Sequence, residues 1–171
     1  MSTAHPRSRR WPARLRSLAI NLLLLLAFIV ALDWFRAPDA SAIAETTLTT
    51  TNGQTVNFQV DPRPTVLYFW GDWCLYCRHT SPAIERLQRN GHRVVSVAMQ
   101  SGDDARVHAY LQRHGWDFPV VNDPDGAISQ AFDVGTTPTI AIVSNGRMRM
   151  ATSGWTSYWG LRARLWLARL A

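Results

Sequence analysis

The sequence predicts an α/β fold built on a mixed central sheet. The apolar run "TVLYFW" at 65–70 has the length and composition of a central strand buried on both faces, "RVVSVAM" at 93–99 reads as another buried strand, and "TIAIVS" at 139–144 as a third strand. Between them lie segments whose apolar residues recur at helical spacing. Asn145-Gly146 then turns the chain from "TIAIVS" straight back into "RMRMAT", so one strand pair must be antiparallel. Strands alternating with helices and ending in a hairpin describe a sheet of mixed direction flanked by helices. With 171 residues, 47% of them hydrophobic, the chain supports one full core and a short appendage.

The appendage comes first. Residues 1–16 form a basic tail carrying Arg7, Arg9, Arg10, Arg14 and Arg16. The run "SLAINLLLLLAFIVALDWF" follows, with Asn21 and Asp33 as its strongly polar residues. As a helix it reaches across a hydrocarbon core of about 30 Å, with Trp34 placed as an interfacial aromatic. Residues 17–36 are therefore predicted to be a transmembrane anchor in the lipid bilayer. The basic flank keeps the N-terminus cytoplasmic and exports the rest. A cleaved signal peptide competes, with "ASA" at 40–42 or "AIA" at 42–44 as peptidase sites. The apolar run is long for that role, and Asp33 and Arg36 separate it from those sites. Residues 37–46 read as a linker of small residues, and 47–171 as the folded domain.

All 18 basic residues are Arg, and six lie at or before Arg36, which leaves 12 Arg against 11 acids in the remainder. The high pI belongs to the N-terminal tail, and a nucleic-acid partner loses its main support.

Along the domain, "LTTTNGQTVNFQV" alternates around Asn52-Gly53 and predicts a hairpin with strands near 47–51 and 55–60. Cys74 to about Asn90 reads as a helix with Ile84 and Leu87 on one face, interrupted at Pro82 and closed by Gly91. Asp103–His114 is a helix with Val107, Tyr110, Leu111 and His114 on one stripe, stopped by Gly115. "FPVVND" is a short strand and Asp125–Phe132 a short helix. A last helix over about 156–170 turns Leu161, Leu165 and Ala168 inward and Arg162 and Arg169 outward.

The chemistry sits in "FWGDWCLYCRHTSP", which holds both cysteines of the chain, Cys74 and Cys77. If Cys74 follows a buried strand and opens a helix, free N–H groups and the helix dipole stabilise its thiolate, bringing the thiol pKa to about 3.5–7.5. Cys77, one turn later, is held close enough to attack a mixed disulfide and release the partner. Trp70 and Trp73 would form an apolar rim. A zinc or copper site needs more ligands than two thiolates, and only scattered His79, His92, His108 and His114 follow. Haem attachment would need His where Arg78 stands. A purely structural disulfide would close too small a loop to stabilise much.

"FWGDWCLYC" resembles the active-site signature of the thioredoxin superfamily. Pro82 matches that family's helix-kinking proline, Pro138 in "VGTTPT" its cis-proline loop, and Gly146 and Gly154 the glycines around the last hairpin. The 64-residue spacing from Cys74 to Pro138 exceeds that of plain thioredoxin by about one helix and one strand, carried near Met99–Val121. This resembles the membrane-anchored TlpA and ResA branch. A single anchor and a linker near "DWFRAP" look closest to the suppressor-of-copper-sensitivity protein D group.

The resemblance implies a thioredoxin fold with an N-terminal β-hairpin and an inserted helix-strand unit. It implies a thiol-disulfide oxidoreductase in the inner membrane with its domain in the periplasm, working in redox homeostasis and copper tolerance. Cys74 is then the nucleophile and Cys77 the resolving thiol, with Trp73, Thr137 and Pro138 meeting the substrate. No cofactor or metal is needed; thiol- or disulfide-containing exported proteins and a membrane redox partner are implied.

Three departures stand out. The buried Asp that plain thioredoxins carry six residues before the first cysteine is Tyr68 here. The Glu of the cytochrome-maturation motif CxxCxxE is Thr80, which leaves water or Asp72 as the base for Cys77. The residues between the cysteines are Leu75 and Tyr76, so no His favours the thiolate and reduction of substrate is the expected direction. Two rivals are a copper-binding module using the CxxC thiolates and a peroxiredoxin-like peroxidase. The latter wants a P-x-x-x-T-x-x-C pattern that residues 61–74 lack.

Overall fold

The structure is a computed structural model that describes residues 17–21, 23–25, 28, 47–59 and 63–169. The chain divides into two units, 1–35 and 36–171. In the first, residues 17–21, 23–25 and 28 are helical. Among the described residues no helix is long and apolar enough to cross a membrane, a task that takes about 20 residues in series. This corrects the expected transmembrane anchor at 17–36. With it fall the lipid-bilayer partnership through those residues, the membrane-anchored activity and the single-pass inner-membrane location. The other residues of that run, the basic tail and the linker lie outside the described residues.

In the second unit a small hairpin, β1 (Thr47–Thr49) and β2 (Thr55–Asn57), precedes a five-stranded sheet. Its strands are β3 (Thr65–Trp70), β4 (Arg93–Met99), β5 (Val120–Asp123), β6 (Thr139–Ser144) and β7 (Arg147–Ser153). The helices are α1 (Leu75–Arg89), α2 (Asp104–His114), α3 (Ala127–Ala131) and α4 (Tyr158–Ala168). Strand order is β5-β4-β3-β6-β7. β4 runs parallel to β3 and β5 to β4, while β6 and β7 are antiparallel to their neighbours. The α2–β5 unit thus extends the sheet at the β4 edge, as the long spacing between Cys74 and Pro138 implies.

Each central strand is buried throughout, and the two-residue side-chain period divides it between two cores. Val66, Tyr68 and Trp70 pack with Ile84 and Leu87 of α1, Val107 and Tyr110 of α2, and Leu161 and Leu165 of α4. Leu67 and Phe69 face the other way, onto Phe132 and Val134 and onto Leu48, Val56 and Phe58 of the hairpin region.

Several expectations change in detail. The first hairpin has three-residue strands, because its connection is a five-residue loop. There Thr50 Oγ1 accepts from Gln54 N at 3.0 Å, and Gly53 adopts φ 81°. Asn145 and Gly146, at φ 52° and 67°, form the two-residue turn in which both positions are left-handed. Helix α1 runs unbroken through Pro82; the proline removes one donor, but Ile84 and Leu87 keep the following turns packed on the sheet. His114 is exposed rather than on the buried stripe, yet it stacks on Trp116 with centroids 4.6 Å apart.

Candidate active site

The site forms where β3 leaves the sheet. Gly71 ends the strand, and a Cβ there would lie 2.6 Å from the Trp73 indole, so only glycine fits beneath that ring. Cys74 N donates to Gly71 O at 3.1 Å, which closes a tight turn and delivers Cys74 to the N-cap of α1. At φ −86° and ψ 111° Cys74 is extended, as an N-cap residue must be, and its Sγ accepts from Cys77 N at 3.1 Å. Cys74 and Cys77 are joined by a disulfide, with Cα atoms 5.3 Å apart. Cys74 keeps 6% of its surface and Cys77 none.

The rim differs from the expected pair of tryptophans. Trp73 is exposed and its Nε1 donates to Met99 O at 3.2 Å, which ties the cysteine turn to the end of β4. Trp70 is fully buried instead, stacked on Tyr110 at 5.4 Å, because β3 is covered on both faces. Leu75 and Tyr76 take its place as exposed apolar groups beside the disulfide.

Pro138 and Thr137 arrive from the antiparallel neighbour. Phe69 pairs with Thr139, so extending the register places Pro138 level with Trp70 and Thr137 level with Gly71. The Thr137-Pro138 bond is cis. Pro138 O accepts from Gly154 N at 2.8 Å, and Thr139 Oγ1 bonds Thr136 O at 2.8 Å, so the loop is held from both sides. Trp73, Cys74, Thr137 and Pro138 therefore share one end of the sheet.

Asp72 does not stand free as a base. Its Oδ2 accepts from Arg106 Nε at 2.8 Å and lies 2.7 Å from the other guanidinium nitrogen. Its backbone N–H donates to Ser101 Oγ at 3.0 Å. Thr80 Oγ1 bonds Tyr76 O within the helix, and His79 is exposed. Beneath Cys77 the Tyr68 hydroxyl lies 2.9 Å from Ser81 Oγ and 3.4 Å from Cys77 O. Burial pushes the Tyr68 phenol well above its ordinary range, against the opposing bond from Ser81 and with Tyr110 adding to the rise. The phenol is a donor and not a base.

Sequence reasoning missed Ser101, Arg106 and Ser81. The run "SGDD" after β4 signals a helix cap, but nothing in it announces that Ser101 and Arg106 reach back to Asp72. A cleft of about 380 Å³ opens beside the site, lined in part by Met99, Gln100, Asp133 and Gly135. Among the described residues no three His, Cys, Asp or Glu side chains gather where they could share a metal ion.

A disulfide between an N-cap cysteine and the residue one turn later, beside a cis-proline loop on this sheet, defines a thiol-disulfide oxidoreductase of the thioredoxin superfamily. By sequence, the chain belongs to the AhpC/TSA family, whose model matches residues 37–151. It is 45% identical over 154 residues to a thioredoxin-like protein of Haemophilus influenzae, covering 86% of this chain and 92% of that one. It is 29% identical over 99 residues to the thiol-disulfide oxidoreductase ResA of Bacillus subtilis, a match spanning 55% of each protein. In fold it is similar to a secreted Mycobacterium tuberculosis disulfide oxidoreductase homologous to E. coli DsbE. There the TM-score is 0.62 at 22% identity, over 74% of this chain and 98% of that one. In sequence and in fold, then, the chain is similar to thiol-disulfide oxidoreductases.

Proposed function

We propose that the protein reduces disulfides of exported polypeptides, with Cys74 as the attacking thiol and Cys77 as the resolving thiol. The observation that carries this reading is the N-cap position of Cys74. In the reduced protein its thiolate faces the free N–H groups of the first turn, which stabilise the anion. That thiolate attacks a substrate sulfur, and the substrate disulfide breaks, releasing one substrate thiolate. Cys77 sulfur then attacks Cys74 Sγ, and the second substrate thiolate leaves. Two electrons have passed to the substrate, and the Cys74–Cys77 disulfide remains to be reduced by a separate redox protein.

Thr137 and Pro138 supply the edge along which a substrate strand lies, and the exposed Trp73 covers it. An exported setting is supported by the likeness in fold to the M. tuberculosis oxidoreductase, which is itself secreted. A finer place beside the suppressor-of-copper-sensitivity protein D group rests on "DWFRAP" alone, and copper sensitivity of a deletion strain tests it.

Reduction is favoured over oxidation because Leu75 and Tyr76 offer no charge to the Cys74 thiolate. Equilibration with glutathione buffers should give a potential more reducing than about −180 mV. A value near about −120 mV would make the protein an oxidase. The Cys77→Ala protein should accumulate mixed disulfides with substrates, and Cys74→Ala should trap none. Peroxide consumption matching the disulfide turnover would favour a peroxidase instead.

A further inference from the structure

We infer that Tyr68, acting with Ser81, is a positioning residue for Cys77 in the resolving step. This rests on the reading of Cys77 as the resolving thiol. Tyr68 is fully buried in β3 on the face that packs against α1, and its hydroxyl meets that helix at one place, the turn that begins with Cys77. Each O–H is used once if Ser81 donates to Tyr68 Oη and Tyr68 donates to Cys77 O.

That turn needs an outside hold. Pro82 has no N–H, so the carbonyl of Arg78 lacks the donor that an uninterrupted helix would bring to it. The weakened turn carries Cys77 in its first position. Among the described residues no other side-chain hydroxyl or carboxylate is free to hold this turn: Thr80 is turned to Tyr76 O, and Asp72 is bound by Arg106. The ring of Tyr68 is itself fixed edge-on to Phe118 at 6.1 Å, so its hydroxyl is presented from a rigid base.

In the resolving step the Cys77 thiol loses a proton, which the departing substrate thiolate takes up directly or through water. Cys77 sulfur bonds to Cys74 Sγ, and the bond between Cys74 and the substrate sulfur breaks, its electron pair leaving with the substrate. The approach must be in line with the breaking bond, so small displacements of Cys77 slow it. The Tyr68–Ser81 pair stays neutral, and Cys77 passes through its thiolate without a buried carboxylate opposing it.

The test separates the two chemical steps in the full-length protein, using a dye-labelled disulfide peptide in stopped flow. Tyr68→Phe keeps the ring and removes the hydroxyl. Decay of the mixed disulfide should slow by about three- to tenfold, the weight of one buried hydrogen bond. The rate at which reduced Cys74 first attacks the peptide should not change. Decay at the wild-type rate, or an equal fall in both steps, overturns the inference, since the latter marks general loosening of the fold. Should Tyr68→Phe fail to fold, Ser81→Ala removes the other half of the pair and is judged by the same two rates. The Cys77→Ala protein is the control: if it builds up no mixed disulfide, the underlying reading fails and this inference with it.

Discussion

Helices α1 and α2 begin in the same way and do different work. They follow β3 and β4, which are neighbouring parallel strands, and each opens on a residue in extended conformation whose side chain accepts from the backbone N–H three positions on. At α2 the acceptor is Asp103 Oδ1, 2.8 Å from Arg106 N, with Asp104 adding a second negative charge to the first turn. At α1 it is Cys74 Sγ, 3.1 Å from Cys77 N, and the first turn has no acid. A carboxylate satisfies the end of a helix permanently. Sulfur is a weak acceptor as a thiol or disulfide and a strong one only as a thiolate, so the field of α1 is left to act on the state of the cysteine. One cap stabilises the fold; the other leaves the site poised for chemistry. The two are linked by Arg106, whose backbone binds Asp103 and whose guanidinium binds Asp72, two residues before Cys74.

Exchanging the caps tests this contrast. The largest effect is expected from Cys74→Ser, which keeps a hydroxyl cap but should reduce disulfide turnover to background in a peptide-reduction assay while the denaturation midpoint barely moves. Asp103→Ala should do the reverse, costing about 1 kcal/mol in urea unfolding with Cys74 alkylation unchanged. The buried phenol beneath α1 adds a pH term. Its raised pKa means that the unfolded chain loses the Tyr68 proton first, so stability from this group is complete below about pH 10 and declines as the pH rises above it. Tyr68→Phe should flatten that alkaline decline in thermal melts; identical slopes would contradict the assignment. Smallest of all, Arg106→Ala cuts the link between the two caps. Its guanidinium is largely exposed, so the loss should stay within about 1 kcal/mol.

The strands were legible because "TVLYFW" and "TIAIVS" are apolar at every interior position, and the second hairpin because Asn145-Gly146 names its own turn. The cysteine pair was legible because two-thiol redox chemistry needs the thiols about one helical turn apart, and Pro138 was reached only through the family resemblance of "VGTTPT". The N-terminal run was misjudged: apolar composition alone supports a membrane span, whereas among the described residues no helix is long and apolar enough to be one. Trp70 was misplaced at the rim because a tryptophan near the cysteines looks the same in sequence whether it faces solvent or Tyr110. Ser81 and Arg106 were illegible for a further reason. Their partners, Tyr68 and Asp72, are 13 and 34 positions away, and no local pattern records a contact made across the sheet end.

That the start of α1 makes Cys74 the reactive thiol is tested most directly by the pH dependence of alkylation in the reduced protein. Iodoacetamide labelling followed by peptide mapping should modify Cys74 first, with an apparent pKa below the value of about 8.5 for a free cysteine, while the fully buried Cys77 lags behind. Equal labelling of both thiols at neutral pH, or a Cys74 that titrates at or above the free value, would contradict it.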